Sequence, residues 1–131
     1  MAKIIIVDDI SDIAMLFAEI LKGDGLEAVP IVGGAKAIEW IWEIAEKPDL
    51  MIVNLDMPPY DALEIIKQAR DRFGSDMPAI ITSGGFIKHN EEKCRTVTPY
   101  LIQLPITGLD FRKFVREVLR ETQSAPTPIQ T

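Results

Sequence analysis

The stretch from Pro48 to Glu64, "PDLMIVNLDMPPYDALE", contains a strand, a turn and the start of a helix in immediate succession. Leu50 to Leu55 is apolar except for Asn54, the pattern of a strand buried on both faces of a parallel sheet. Met57-Pro58-Pro59 turns the chain. Ala62 to Phe73 then reads as a helix, with Leu63, Ile66, Ala69 and Arg70 on successive turns. Asn54 is therefore a polar residue at the C-terminal end of a buried strand, where a side chain is held by the sheet but can still meet solvent.

The same alternation extends in both directions. "KIIIV" (Lys3 to Val7) is a β-branched run that stops at Asp8 and Asp9. Ser11 to Lys22 follows with Ile13, Leu16, Phe17, Ile20 and Leu21 at helical spacing, Ser11 or Asp12 available as a cap, and Gly23 and Gly25 ending the helix. "LEAVPIV" reads as a second strand. Ala35 to Lys47 reads as a helix with Ile38, Ile41, Trp42 and Ala45 inward, closed by Pro48. "MPAIITSGG" supplies a fourth strand, "IKHNEEKC" a short charged helix, "VTPYLIQL" a fifth strand, and Leu109 to Glu121 a closing helix with Phe111, Phe114, Val115, Val118 and Leu119 aligned. Five strand–helix alternations predict a doubly wound α/β domain, with the functional site outside the C-terminal strand ends. The domain is expected over residues 1–122, with 123–131 a loose tail.

Composition narrows the function. A chain of 131 residues, 47% of them hydrophobic, suits one domain. Twenty acidic residues against fourteen basic ones, a net charge of −6, argue against nucleic acid as a partner. No apolar run approaches the length of a membrane span and no leader pattern opens the chain, so a cytoplasmic protein with protein partners is expected. Cys94 is alone and reads as an inert thiol, and His89, the only histidine, as a surface residue in a short polar segment. Ser83-Gly84-Gly85 has no lysine at P-loop spacing, and Asp8-Asp9-Ile10-Ser11 does not match the Asp-x-Asp-x-Thr pattern of haloacid dehalogenase phosphatases. Adjacent carboxylates at a strand end repel each other and suit Mg²⁺; equally, Asp9 could cap the helix while Asp8 is solvated.

"KIIIVDD", "PDLMIVNLDMPPYDALEII", "PAIITSG" and a strand ending in proline before the last helix together resemble the receiver domain of two-component response regulators, over nearly the whole chain. The resemblance implies a flavodoxin-like (βα)5 fold with sheet order 2-1-3-4-5. It also implies that Asp8 and Asp9 correspond to the Mg²⁺-holding pair, Ser83 to the hydroxyl that meets the phosphoryl group, and Asn54 to the phosphoacceptor aspartate.

Asparagine keeps the shape of that aspartate without an anionic nucleophile. A third carboxylate is also lost from the metal site, leaving at most weak Mg²⁺ binding through Asp8, Asp9 and Asp56. The lysine usual before the last proline is replaced by Leu104, or by Gln103 if the strand is bulged; the two registers place Leu101 or Tyr100 at the switching aromatic. Loss of both acceptor and cation is more economically a natural pseudo-receiver than an engineered change. The expected function is a stand-alone, non-enzymatic module that binds protein partners through the Phe86 to Glu121 face without phosphorylation, with homodimerisation open. The alternative is a phosphorylatable regulator served by a histidine kinase and Mg²⁺, using Asp56 as a substitute acceptor or a native aspartate replaced by Asn54. Against that use of Asp56 stands a solvated loop carboxylate at a turn.

Overall fold

The computed structural model describes residues 1–123. In chain order the elements are β1 (Lys3–Asp8), α1 (Ser11–Gly23), β2 (Glu27–Val32), α2 (Gly34–Glu43), β3 (Leu50–Asn54), β4 (Asp56–Met57), β5 (Tyr60–Asp61), α3 (Ala62–Phe73), β6 (Ala79–Ser83), α4 (Lys88–Arg95), β7 (Leu101–Gln103) and α5 (Gly108–Gln123). The main sheet runs β2-β1-β3-β6-β7 with every pairing parallel. This is the expected order 2-1-3-4-5, since β4 and β5 form a separate antiparallel hairpin in the connection after β3.

Side chains alternate across the sheet, and the apolar runs split accordingly. Ile4, Ile6, Leu50, Ile52 and Ile80 face α1 and α5, where Phe17 stacks on Phe111 with ring centroids 4.3 Å apart. Ile5, Val7, Met51, Val53 and Ile81 face α2, α3 and Cys94 of α4. β3 and β6 are buried along their whole length, which is why they read as continuous hydrophobic stretches. β2 lies at an edge, where Pro30 is tolerated because no further strand needs its missing N–H.

The structure corrects several expected boundaries. α1 has Ile10 at its N-cap with no side-chain cap, so neither Ser11 nor Asp12 caps it. α2 stops at Glu43 because Ile44 is already extended, well before Pro48. Its buried positions are Gly34, Ala37 and Ile41, whereas Trp42 and Ala45 point outward. Trp42 spends its indole N–H on Gln68 Oε1 at 2.8 Å, an outward contact between α2 and α3. α3 spans Ala62–Phe73 as expected, capped by the Asp61 carboxylate, which accepts from Glu64 N at 2.9 Å. Gln123 is the last residue of α5 and not the first of a tail; its Nε2 donates to Asp49 Oδ1 at 2.9 Å. The remainder of the expected tail lies outside the described residues. Among the described residues no helix is long and apolar enough to cross a membrane.

The β4–β5 hairpin sits against the start of α2 at Gly34, where a Cβ would lie 2.8 Å from Tyr60 Cβ. That close approach holds the chain leaving Asn54 against the domain. The core between α1 and α5 depends on Phe111, which is fully buried. A Phe111→Ala variant is expected to lose about 3–5 kcal/mol, seen as a lower urea midpoint with an unchanged m-value.

Candidate functional site

Four strands end on one side of the molecule, and each places one polar side chain there. Asp8 closes β1, Asn54 closes β3, Ser83 closes β6 and Gln103 closes β7. Asp8 is fully buried, and a buried carboxylate needs donors to replace its water. It has two: Ile10 N donates to Oδ1 at 2.9 Å and Asn54 Nδ2 donates to Oδ2 at 3.0 Å. Asn54 Oδ1 in turn accepts from Asp56 N at 2.9 Å. The amide thus joins β1, β3 and the start of the hairpin in one chain of hydrogen bonds.

Burial pushes the Asp8 carboxyl above its usual value; the bonds from Asn54 and Ile10 oppose the rise, and the nearby Asp9 charge adds to it. Asp9 itself is exposed and does not cap α1, so the cap expected of it falls to no side chain, while Asp8, the one expected to be solvated, is the buried member. The Asp56 side chain is exposed and lines a small cavity with Asp61, Lys93 and Cys94 beside α4. Its backbone N–H bonds to Asn54 Oδ1 at the Asp8–Asn54 site. Among the described residues no three His, Cys, Asp or Glu side chains converge as a metal set.

Ser83 is also fully buried, and its Oγ accepts from Gly85 N at 3.1 Å. β7 pairs with β6 in unbroken register, Ile81 with Leu101 and Ser83 with Gln103, and Leu104 N continues the ladder to Ser83 O at 2.8 Å. The strand carries no bulge, so Leu104 keeps the position before Pro105 and Gln103 does not take it. Leu104 packs with Phe17 and Ile106 and lines a cleft of about 490 Å³ together with Asn54 and Gly84.

Gln103 has a role that its sequence position did not suggest. Its amide donates to Gly84 O at 2.7 Å and Leu104 O at 3.0 Å, and it accepts from Phe86 N at 3.3 Å. One side chain therefore ties the loop after β6 to the end of β7. Tyr100 lies on the α5 side, its hydroxyl donating to Glu121 Oε2 at 2.7 Å, while Leu101 packs on the opposite face of the sheet. His89 is exposed on α4, and Cys94 is fully buried with its thiol pushed up by that burial, as befits an inert side chain.

Residues 4–96 match the model of the response regulator receiver domain. The chain belongs to this family. The receiver fold is shared with a CheY-like response regulator receiver domain protein from Methanospirillum hungatei JF-1, 21% identical, covering 95% of this chain and 98% of that one at a TM-score of 0.84. A receiver domain protein from Clostridium thermocellum gives 19% identity, coverages of 95% and 99%, and a TM-score of 0.82. The response regulator TrrA from Thermotoga maritima, solved in complex with Mg²⁺-BeF, gives 20% identity, coverages of 90% and 99%, and a TM-score of 0.76. In this receiver, the Asp8 and Asn54 side chains meet directly where β1 and β3 end.

The raised Asp8 value has a testable sign. Because the folded state holds the proton more tightly than the unfolded chain, this group favours folding at low pH, and its contribution falls as pH rises through the window above 3.8. The Asp8 carboxyl resonance is expected to titrate above 3.8. In urea unfolding, the stability of wild type relative to Asp8→Asn is expected to decline as pH rises through that same window.

Proposed function

We propose that this receiver is a non-enzymatic, cytoplasmic module that signals by binding protein partners without a phosphoryl group on residue 54. The observation that carries the reading is the Asn54 amide. A neutral amide is a poor nucleophile toward a phosphoryl donor, and here its N–H is already committed to Asp8 Oδ2 at 3.0 Å and its oxygen to Asp56 N at 2.9 Å.

The donor set is a poor fit for Mg²⁺. Both Asp8 oxygens already accept protein hydrogen bonds, and no buried side-chain polar atom among the described residues lacks a partner. Asp8 and the exposed Asp9 are what remains to hold a cation, so any binding is weak. Leu104 offers no charge to pair with an acceptor or its phosphate. Asp56 is disfavoured as a substitute acceptor because it is an exposed residue of the turn after β3 that lines a cavity with Lys93 and Cys94 of α4. These features favour a natural pseudo-receiver over one that takes phosphoryl groups from a histidine kinase.

Control then falls to partner affinity, which shifts a population only as far as it discriminates between states. The Phe86 to Glu121 region is one candidate surface: Ile87 is 63% exposed, and Tyr100, Leu101 and Phe114 line a second cleft beside α5. Homodimerisation through such a face belongs to the same proposal.

Acetyl phosphate and Mg²⁺ followed by intact-mass measurement test the reading. Wild type is expected to stay unmodified, and a phosphoryl group on Asp56 or any other residue would overturn the proposal. An Asn54→Asp variant places a second carboxylate beside Asp8 and is expected to lose about 1–3 kcal/mol in the absence of metal. Added Mg²⁺ is expected to restore stability to the variant and to leave wild type unchanged in urea unfolding.

A further inference from the structure

Of the five helices, α4 buries the fewest residues. Its sequence, KHNEEKCR, buries Cys94 alone, and Ile87 at its N-cap supplies no side-chain cap. On its inner side a cavity of about 130 Å³ separates Asn90, Lys93 and Cys94 from Asp56 and Asp61 of the hairpin, so little packing fixes the helix there. A helix with one buried residue takes its position from whatever holds its ends.

The two ends are held differently. Beyond the C-terminal end, Arg70 Nη1 of α3 donates to Val97 O at 2.6 Å, and Thr98 Oγ1 donates to Ala79 O at 2.6 Å in a buried bond. Before the N-terminal end stand Gly84, Gly85 and Phe86. Among the described residues, no backbone group of these three bonds to another backbone group. A Cβ at either glycine would meet nothing within 4 Å, so no neighbouring atom confines the chain at those positions. The Phe86 side chain is partly buried against the core, and the hydrogen bonds to this loop come from two side chains. Ser83 Oγ accepts from Gly85 N at 3.1 Å. Gln103 Oε1 accepts from Phe86 N at 3.3 Å, while its Nε2 donates to Gly84 O at 2.7 Å and Leu104 O at 3.0 Å. Both halves of one amide are used, and β7 fixes Gln103 in register opposite Ser83.

We infer that Gln103 is a clamp that fixes the loop after β6 and the N-terminal end of α4 in one arrangement, with no cation or phosphoryl group taking part. Its bonds go to neutral backbone groups, so the clamp needs no charged partner to close. Ile87, 63% exposed, follows the clamped residue directly, and the clamp thereby sets how this part of the Phe86 to Glu121 region is presented to a partner. The inference deepens the proposed function and rests on it, since a loop held in this way is set without phosphorylation at residue 54.

The test is amide hydrogen exchange and ¹⁵N relaxation dispersion on the full chain, for wild type, Gln103→Ala and Gln103→Met. Gln103 is exposed, so both variants are expected to keep the wild-type circular dichroism spectrum; methionine keeps the length of the side chain and loses the amide. In wild type, flat dispersion profiles are expected at Gly85, Phe86 and Ile87. In both variants the Phe86 N–H is expected to exchange about tenfold faster, with the Ile81 N–H, bonded to Tyr100 O within the sheet, unchanged. Reaction of Cys94, the single thiol of the chain, with a thiol reagent is expected to change by less than about twofold, because the C-terminal end of α4 has its own anchors. Dispersion at these three residues in wild type, Phe86 exchange unchanged in either variant, or a Cys94 reaction that accelerates in step with Phe86 exchange would overturn the inference. If wild type stays unmodified by acetyl phosphate, such a failure leaves the phosphorylation-independent reading standing. A phosphorylated wild type would overturn both.

Discussion

A carboxylate buried at the end of β1 requires hydrogen bonds or a cation, and the way Asp8 meets that requirement organises this side of the molecule. Removing an ionised group from water without compensation costs several kcal/mol, an order of magnitude that a marginally stable domain cannot absorb at many positions. Asp8 is held by Ile10 N and Asn54 Nδ2, and Asn54 is held by Asp56 N. With asparagine at 54 the network closes on neutral donors. An aspartate there would place two anions in the same contact, and a cation would have to separate them.

The rest of the strand-end surface is consistent with a site closed in this way. Leu104 places an aliphatic side chain beside Asn54, and the Gln103 amide ties Gly84 and Phe86 to β7 through uncharged bonds. Ser83 turns its hydroxyl onto Gly85 N. These contacts are made within the protein itself.

The buried strands were legible because residues covered on both faces must be apolar, so β1, β3 and β6 appear as unbroken runs ending at polar residues. The α3 limits were equally plain, since Asp61 is a good cap and Gly74 takes a positive φ at the other end. Helix α2 was not. Its sequence keeps a helical spacing through Ala45, but the chain turns extended at Ile44, whose carbonyl accepts from Arg72, a residue distant in sequence. Trp42 departs from its inward-looking spacing for a related reason: a large aromatic can bond to Gln68 of α3 without entering the core. The β4–β5 hairpin, two residues on each side, is too short to leave a periodic signal.

Sequence alone determined the α/β class, the sheet order implied by the family resemblance, the strand-end positions of Asp8, Asn54 and Ser83, and the absence of a lysine before Pro105. These depend on residue identity and on local period, both of which can be read one position at a time. Only the tertiary structure decided that Asp8 is the buried member of the acidic pair, that Asp56 shares a cavity with residues of α4, that β7 carries no bulge, and that Gln103 ties down the loop after β6. Each of these depends on distances between segments far apart in the chain. Such distances are set by how the strands pair and how the helices pack, and no single segment contains them.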